Sequence, residues 1–197
     1  MRRALWILGI ALLIPTFGSC IFAPKKVPPK DDTGPPTAFK PLDKRDNLLF
    51  NLELAYNQRN YEEYRNLLDN SGAFVFYFGQ QDIRDGIVTS TQWGVADDLA
   101  ATQALFDRNP PEGDPRADDV ILDLDYTEDE DDWFAVVPDT HPDETWYTKT
   151  VLYRLSVRIG LTTHSQNKDV FARFTARFTE VEGDSVWQIV TWHDDIQ

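Results

Sequence analysis

The chain has 197 residues, of which 33 are acidic and 19 are basic, so its formal net charge is −14. A protein this acidic repels the phosphates of nucleic acid, which excludes nucleic acid as a partner. A single cysteine, at position 20, excludes an intrachain disulfide, and the sequence contains no motif for a metal or an organic cofactor.

The first 19 residues have the features of a signal peptide. Two arginines precede an apolar run at residues 4–14, which is shorter than the roughly 20 apolar residues that a transmembrane helix needs. The sequence Phe17-Gly18-Ser19-Cys20 resembles the lipobox of bacterial lipoproteins. We therefore predict cleavage before Cys20 and attachment of acyl chains such as palmitate at Cys20. An ordinary signal peptide with an incidental thiol is the alternative.

Residues 20–42 are predicted to form a tether. They contain six prolines and several lysines but no hydrophobic pattern, which favours an extended, solvated chain. By resemblance to lipoprotein sorting in bacteria with two membranes, Ile21 after the lipidated cysteine implies transfer to the outer membrane. The expected location is the cell envelope, facing the periplasm, with the membrane as a partner through Cys20.

Three helices are predicted after the tether. Asp43 is the expected cap of the first helix, whose apolar residues extend beyond one stripe, so several of its sides should be covered. Asn60 followed by Glu63 is a capping-box pattern for the second helix. The third is predicted over residues 94–107, because the prolines at 110 and 111 prevent its continuation.

Alternating apolar and polar residues predict the strands. Shorter strands are expected at 73–78, 120–126 and 133–137, and longer ones at 147–159, around 172–178 and at 185–193. In the first long strand the odd positions face the core, although Lys149 interrupts them. In the next strand we expect inward positions at Ala172, Phe174, Ala176 and Phe178. Helices followed by long antiparallel strands predict an α+β fold.

This order of elements resembles the NTF2-like superfamily. The resemblance covers about residues 43–195 of a domain assigned to residues 43–197, and it rests on the helix pair at 46–68, the aromatic run 74–78, the helix near 95–106 and the closing strand 186–192. It implies a cone in which N-terminal helices pack against a curved antiparallel sheet. The superfamily includes dehydratases, isomerases and binding domains without activity, so the fold does not fix the function.

Catalytic members of the superfamily place an acid or a histidine inside the cone, and the pattern predicts no such residue here. The three histidines are expected in turns or at a strand end: His141, His164 and His193. His193 with Asp194 is the best remaining acid–base pair. Asp123 and Asp125 alternate with leucines, so their side chains should point to solvent.

Two groups of residues are candidates for binding. Six aromatic residues are predicted to surround the space between helix and sheet, where they would bind a small apolar ligand: Tyr56, Phe76, Trp93, Tyr153, Phe174 and Trp187. A filled core is the alternative. Four arginines are predicted to share the outward face of one hairpin, as a surface for a homodimer or an envelope protein: Arg154, Arg158, Arg173 and Arg177. Pairing with the domain's own carboxylates is the alternative there.

Together these predictions describe an envelope-anchored lipoprotein with a non-catalytic NTF2-like domain that binds a ligand or a protein. One alternative is an enzyme of the dehydratase or isomerase type, which acts on a small apolar substrate through an inward carboxylate that the pattern does not locate. The other is a structural envelope protein that associates through its outer sheet face.

Overall fold

The computed structural model describes residues 38–194 apart from 70, 87 and 182, and for residues 163–169 it describes the backbone alone. Cys20, the predicted signal peptide and most of the predicted tether lie outside the described residues. Within the described part, no helix combines the length and apolar character needed to cross a membrane. The last residues assigned to the tether already contact the domain: Phe39 and Leu42 pack against the core, and the carbonyl of Leu42 accepts a hydrogen bond from Trp187 N–H.

The described helices fall mostly in the first half of the domain. They are α1 (Arg45–Gln58), α2 (Tyr61–Leu67), α3 (Gln80–Arg84), α4 (Val95–Phe106) and a short 3-10 helix (Glu130–Asp132). α1 is buried on more than one side, as predicted. Asn60 caps α2 by accepting from the Glu63 N–H, also as predicted. The prediction for α1 is wrong in one respect, because its N-cap is Lys44 and Asp43 instead accepts from the side chain of Asn47.

Seven strands form one curved, unclosed sheet, which confirms the α+β class. They are β1 (Val75–Tyr77), β2 (Gln92–Gly94), β3 (Asp119–Asp125), β4 (Phe134–Val136), β5 (Trp146–Ile159), β6 (Thr162–Val181) and β7 (Asp184–His193). The order is β2-β1-β7-β6-β5-β3, with β4 also paired to β5. The sheet is mixed rather than wholly antiparallel, because β1 runs parallel to β7.

A β-bulge in β7 changes which residues face α1. Thr175 pairs with Thr191 whereas Ala176 pairs with Ile189, so β7 contains one extra residue, Val190. An extra residue shifts the alternation of the strand by one position. The side chains that face α1 are therefore at odd-numbered positions up to Ile189 and at even-numbered positions from Trp192.

A buried ion pair joins α1 to the inner face of β5. Lys149 Nζ lies 2.7 Å from Asp46 Oδ1 and donates to the carbonyls of Thr127 and Asp129. Trp133 Nε1 donates to the same oxygen of Asp46 at 2.8 Å. The apolar alternation of β5 is thus interrupted at Lys149 because its inward ammonium is matched by a carboxylate on α1.

We expect Asp46→Asn to lower the free energy of unfolding by about 3–5 kcal/mol, because it leaves the Lys149 ammonium buried without its counter-charge. Urea denaturation measures this change. Asp123→Asn is the matched control, since Asp123 lies in an exposed pair 3.8 Å from Arg154 and should change stability by less than about 1 kcal/mol. Equal effects of the two substitutions would contradict a structural role for the buried pair.

Candidate functional site

One row of side chains crosses the inner face of the sheet at the level of Trp192. In this row Trp192 is the register partner of Phe76 on β1 and of Phe174 on β6. Its ring centroid lies 5.3 Å from that of Phe76 and 4.9 Å from that of Phe174. Tyr56 of α1 and Tyr153 of β5 each lie 6.2 Å from it. Trp192 therefore brings together four of the six aromatic residues predicted from sequence.

The other two predicted aromatic residues lie further away. Trp93 pairs with Phe76 in the register and extends the row to β2. Trp187 belongs to a separate cluster, in which its ring contacts Tyr147 and Phe178 at 5.5 and 5.1 Å. Phe178, predicted to face the core, is 54% exposed, because it lies close to the turn between β6 and β7. Trp187 is therefore not part of the cluster around Trp192.

A carboxylate of α4 enters the same interior. Asp98 is buried, and its Oδ2 accepts a hydrogen bond from the Tyr64 hydroxyl at 2.5 Å. Burial raises the pKa of Asp98 to about 6, although the Tyr64 hydrogen bond acts in the opposite direction. Burial also raises the pKa of Tyr56 above its ordinary value, and the charge of Asp98 adds to that shift. Asp98 thus titrates near neutral pH beside two tyrosines.

A second buried carboxylate follows β7. Asp194 accepts a hydrogen bond from the hydroxyl of Tyr153, whose ring contacts Trp192. Its charge is a further cause of the raised pKa of Tyr56. Both carboxylates therefore act on the same phenol, and the apolar cluster includes a Tyr–Asp pair from the helices and another from the sheet.

The indole N–H of Trp192 has no hydrogen-bond partner among the described residues, although the side chain is only 3% exposed. An indole N–H is a donor and cannot accept. Leaving a buried donor without an acceptor costs about 1–3 kcal/mol. The interior thus combines aromatic rings, two carboxylates and one unmatched donor.

The four predicted arginines do not form one exposed surface. Arg154, Arg158 and Arg173 are exposed on the outer face of the sheet. Arg177 also points outward, but its side chain is only 13% exposed and its Nε lies 2.5 Å from Asp69 Oδ2. Asp69 and Ser71, whose Oγ is a further acceptor, cover this side chain, so Arg177 follows the alternative of pairing with the domain's own carboxylates.

The predicted acid–base pair of His193 and Asp194 does not form. His193 faces the outer side of the sheet, where its ring stacks on Tyr77 with centroids 4.1 Å apart, while Asp194 bonds Tyr153 inside. Burial and the charge of Arg173 lower the pKa of His193. His141 lies against Trp146 in the loop before β5. Among the described residues, no three acidic, histidine or cysteine side chains are grouped to hold a metal ion.

Sequence reasoning missed Asp98, and it named Asp194 only as the partner of His193. Asp98 was detectable, because it lies with Val95, Thr102 and Phe106 on one side of α4 at helical spacing. Asp194 was not detectable from alternation, because the bulge at Val190 reverses the parity of the strand before Asp194 is reached.

Comparison with known proteins gives structural similarities only. No family model matches the chain, and a search of curated proteins finds no match. A conserved protein from Planctomyces limnophilus has a TM-score of 0.45 and 12% identity, over 76% of this chain and 90% of that one. An NTF2-like protein of unknown function in nutrient uptake from Rhodospirillum rubrum has a TM-score of 0.44 and 13% identity, over 77% and 96%. An NTF2-like protein of unknown function from Pseudomonas putida has a TM-score of 0.40 and 11% identity, over 75% and 80%.

The buried Asp98 should make stability depend on pH. Its folded-state pKa of about 6 exceeds the ordinary 3.8, so the folded protein holds this proton more tightly than the unfolded chain. The resulting stabilisation is present below about pH 4 and is lost as the pH rises through 6. Relative to Asp98→Asn, the wild type should lose about 2 kcal/mol of unfolding free energy between pH 4 and pH 7.

Urea denaturation at a series of pH values measures this difference. Asp97→Asn is the matched control, since Asp97 is exposed in the same helical turn and should leave the pH dependence unchanged. If the unfolding free energies of the wild type and Asp98→Asn depend on pH in the same way, folding does not raise the pKa of Asp98.

Proposed function

We propose that the protein is an envelope-anchored lipoprotein whose domain binds a small, largely apolar ligand in the cluster around Trp192. Anchoring rests on the lipobox-like sequence that ends at Cys20 and on the proline-rich segment behind it. Ligand binding rests on one observation, the burial of two carboxylates within an aromatic cluster. A core built for packing alone would be more stable with apolar side chains at Asp98 and Asp194, because a buried charge is costly.

The position of the cluster supports this proposal. Its members come from α1, β1, β5, β6 and β7, so a ligand there would contact both layers of the domain. Binding sites of this kind are mostly apolar and contain a few polar groups that orient the ligand. Tyr56, Asp98 and Asp194 supply such groups.

A second candidate function is acid–base catalysis by an enzyme of the dehydratase or isomerase type. It is favoured by the pKa of about 6 that burial gives Asp98, because a general acid or base works best with a pKa near the ambient pH. Tyr64, hydrogen-bonded to Asp98, would orient the carboxyl. In this case Asp98 is the proton carrier, and a substrate would be bound by the same aromatic side chains.

Cys20→Ser should abolish lipidation, because a serine hydroxyl does not replace the thiol that receives the lipid. Mass spectrometry of the full chain extracted from membranes with detergent measures the expected loss of the lipid mass and the retention of residues 1–19. Ser19→Ala keeps a small residue at the cleavage site and should be lipidated normally. A lipidated Cys20→Ser protein would refute the anchoring proposal.

The ligand can be identified by denaturing the full chain purified from its native envelope and analysing the released small molecules by mass spectrometry. We expect an apolar compound in roughly equimolar amount. Phe76→Ala should reduce its amount several-fold because Phe76 contacts Trp192, whereas Phe178→Ala in the separate cluster should not. An empty extract from the wild type would refute the binding proposal. If fresh wild-type protein converts the compound and Asp98→Asn does not, the result would support acid–base catalysis rather than binding alone.

A further inference from the structure

The buried Trp192 N–H, which lacks an acceptor among the described residues, indicates that a ligand would carry a hydrogen-bond acceptor. The hydroxyls of Tyr64 and Tyr153 already donate to Asp98 and Asp194. Those hydroxyl protons are therefore engaged within the protein. The Trp192 N–H is a buried donor in the cluster without an acceptor among the described residues.

The buried carboxylates of the same interior indicate that a ligand would carry no negative charge. Asp98 and Asp194 are both buried, and both raise the pKa of the Tyr56 phenol that lies between α1 and the sheet. The Lys149 ammonium, on β5 opposite Phe174, is bound to Asp46 and to two carbonyls. A carboxylate or sulfonate on a ligand beside Trp192 would therefore face two like charges at low dielectric.

From these two observations we infer that the ligand is an uncharged aromatic or alicyclic molecule with a carbonyl or ether oxygen that accepts the Trp192 N–H. The inference rests on the proposed ligand-binding function and specifies its chemical class. The rings of Tyr56, Phe76, Tyr153 and Phe174 would contact the apolar body of the molecule. Trp192 would fix its orientation through one hydrogen bond.

Three compounds with the same ring system separate these requirements: naphthalene, 2-acetylnaphthalene and 2-naphthoate. Equilibrium dialysis against the wild-type protein should give the tightest binding for 2-acetylnaphthalene. We expect a three- to tenfold advantage over naphthalene, which is the effect of one neutral hydrogen bond. The anion 2-naphthoate should bind at least tenfold more weakly than 2-acetylnaphthalene at pH 8, where Asp98 is ionised.

Trp192→Phe removes the donor and keeps an aromatic ring at the centre of the cluster. It should abolish the advantage of 2-acetylnaphthalene over naphthalene, which is measured as the ratio of the two dissociation constants within the variant. Trp93→Phe is the matched control, because Trp93 extends the same row through Phe76 without contacting Trp192 and should retain the advantage. Circular dichroism and thermal unfolding verify that both variants fold.

The outcomes distinguish this inference from the proposed function. If naphthalene binds the cluster but the acetyl group brings no advantage, or if Trp192→Phe keeps that advantage, the assignment of Trp192 as the donor is overturned while ligand binding stands. Tight binding of 2-naphthoate at pH 8 overturns the exclusion of anions. If none of the three compounds binds and the native extract is empty, ligand binding itself is refuted.

Discussion

The single extra residue in β7 determines which chemical groups enter the space between α1 and the sheet. If the strand alternated regularly through Val190, the parity that places Ile189 inside would also place Thr191 and His193 inside. With the bulge, Trp192 and Asp194 take the inward positions, and His193 stacks outside on Tyr77. An indole and a carboxylate therefore replace a hydroxyl and an imidazole in the interior.

The two kinds of buried acid in this domain differ in their partners. Asp46 lies 2.7 Å from the Lys149 ammonium, which neutralises its charge and makes it a structural link between α1 and β5. Asp98 is bonded to the hydroxyl of Tyr64, which stabilises a carboxylate but brings no opposite charge. Asp46 therefore has an opposite charge beside it in the folded domain, whereas Asp98 has only a neutral hydrogen-bond donor.

The sequence predicted the class of fold because helix caps and the alternation of strands depend on residues that are close together in the chain. The alternation in β5 and the Asn60–Glu63 cap each depend on neighbouring residues, and both are confirmed. The bulge could not be predicted, because residues 186–192 have apolar side chains at both parities and either face suits them. The burial of Arg177 depends on Asp69, more than 100 residues earlier in the chain, and no local pattern predicts such a contact. The inward position of Asp98 could have been predicted, because Asp98 and Thr102 are four residues apart on α4. A search for apolar residues alone does not find this position, because Asp is polar.

The parallel pairing of β1 with β7 has a consequence for how the domain forms. Val75 pairs with Thr191, so the two strands that carry Phe76 and Trp192 meet across almost the whole length of the domain. Contacts between distant parts of a chain close large loops and slow folding. The inner row around Trp192 is therefore completed only when the last strand has docked, and a chain lacking that strand would lack the aromatic cluster.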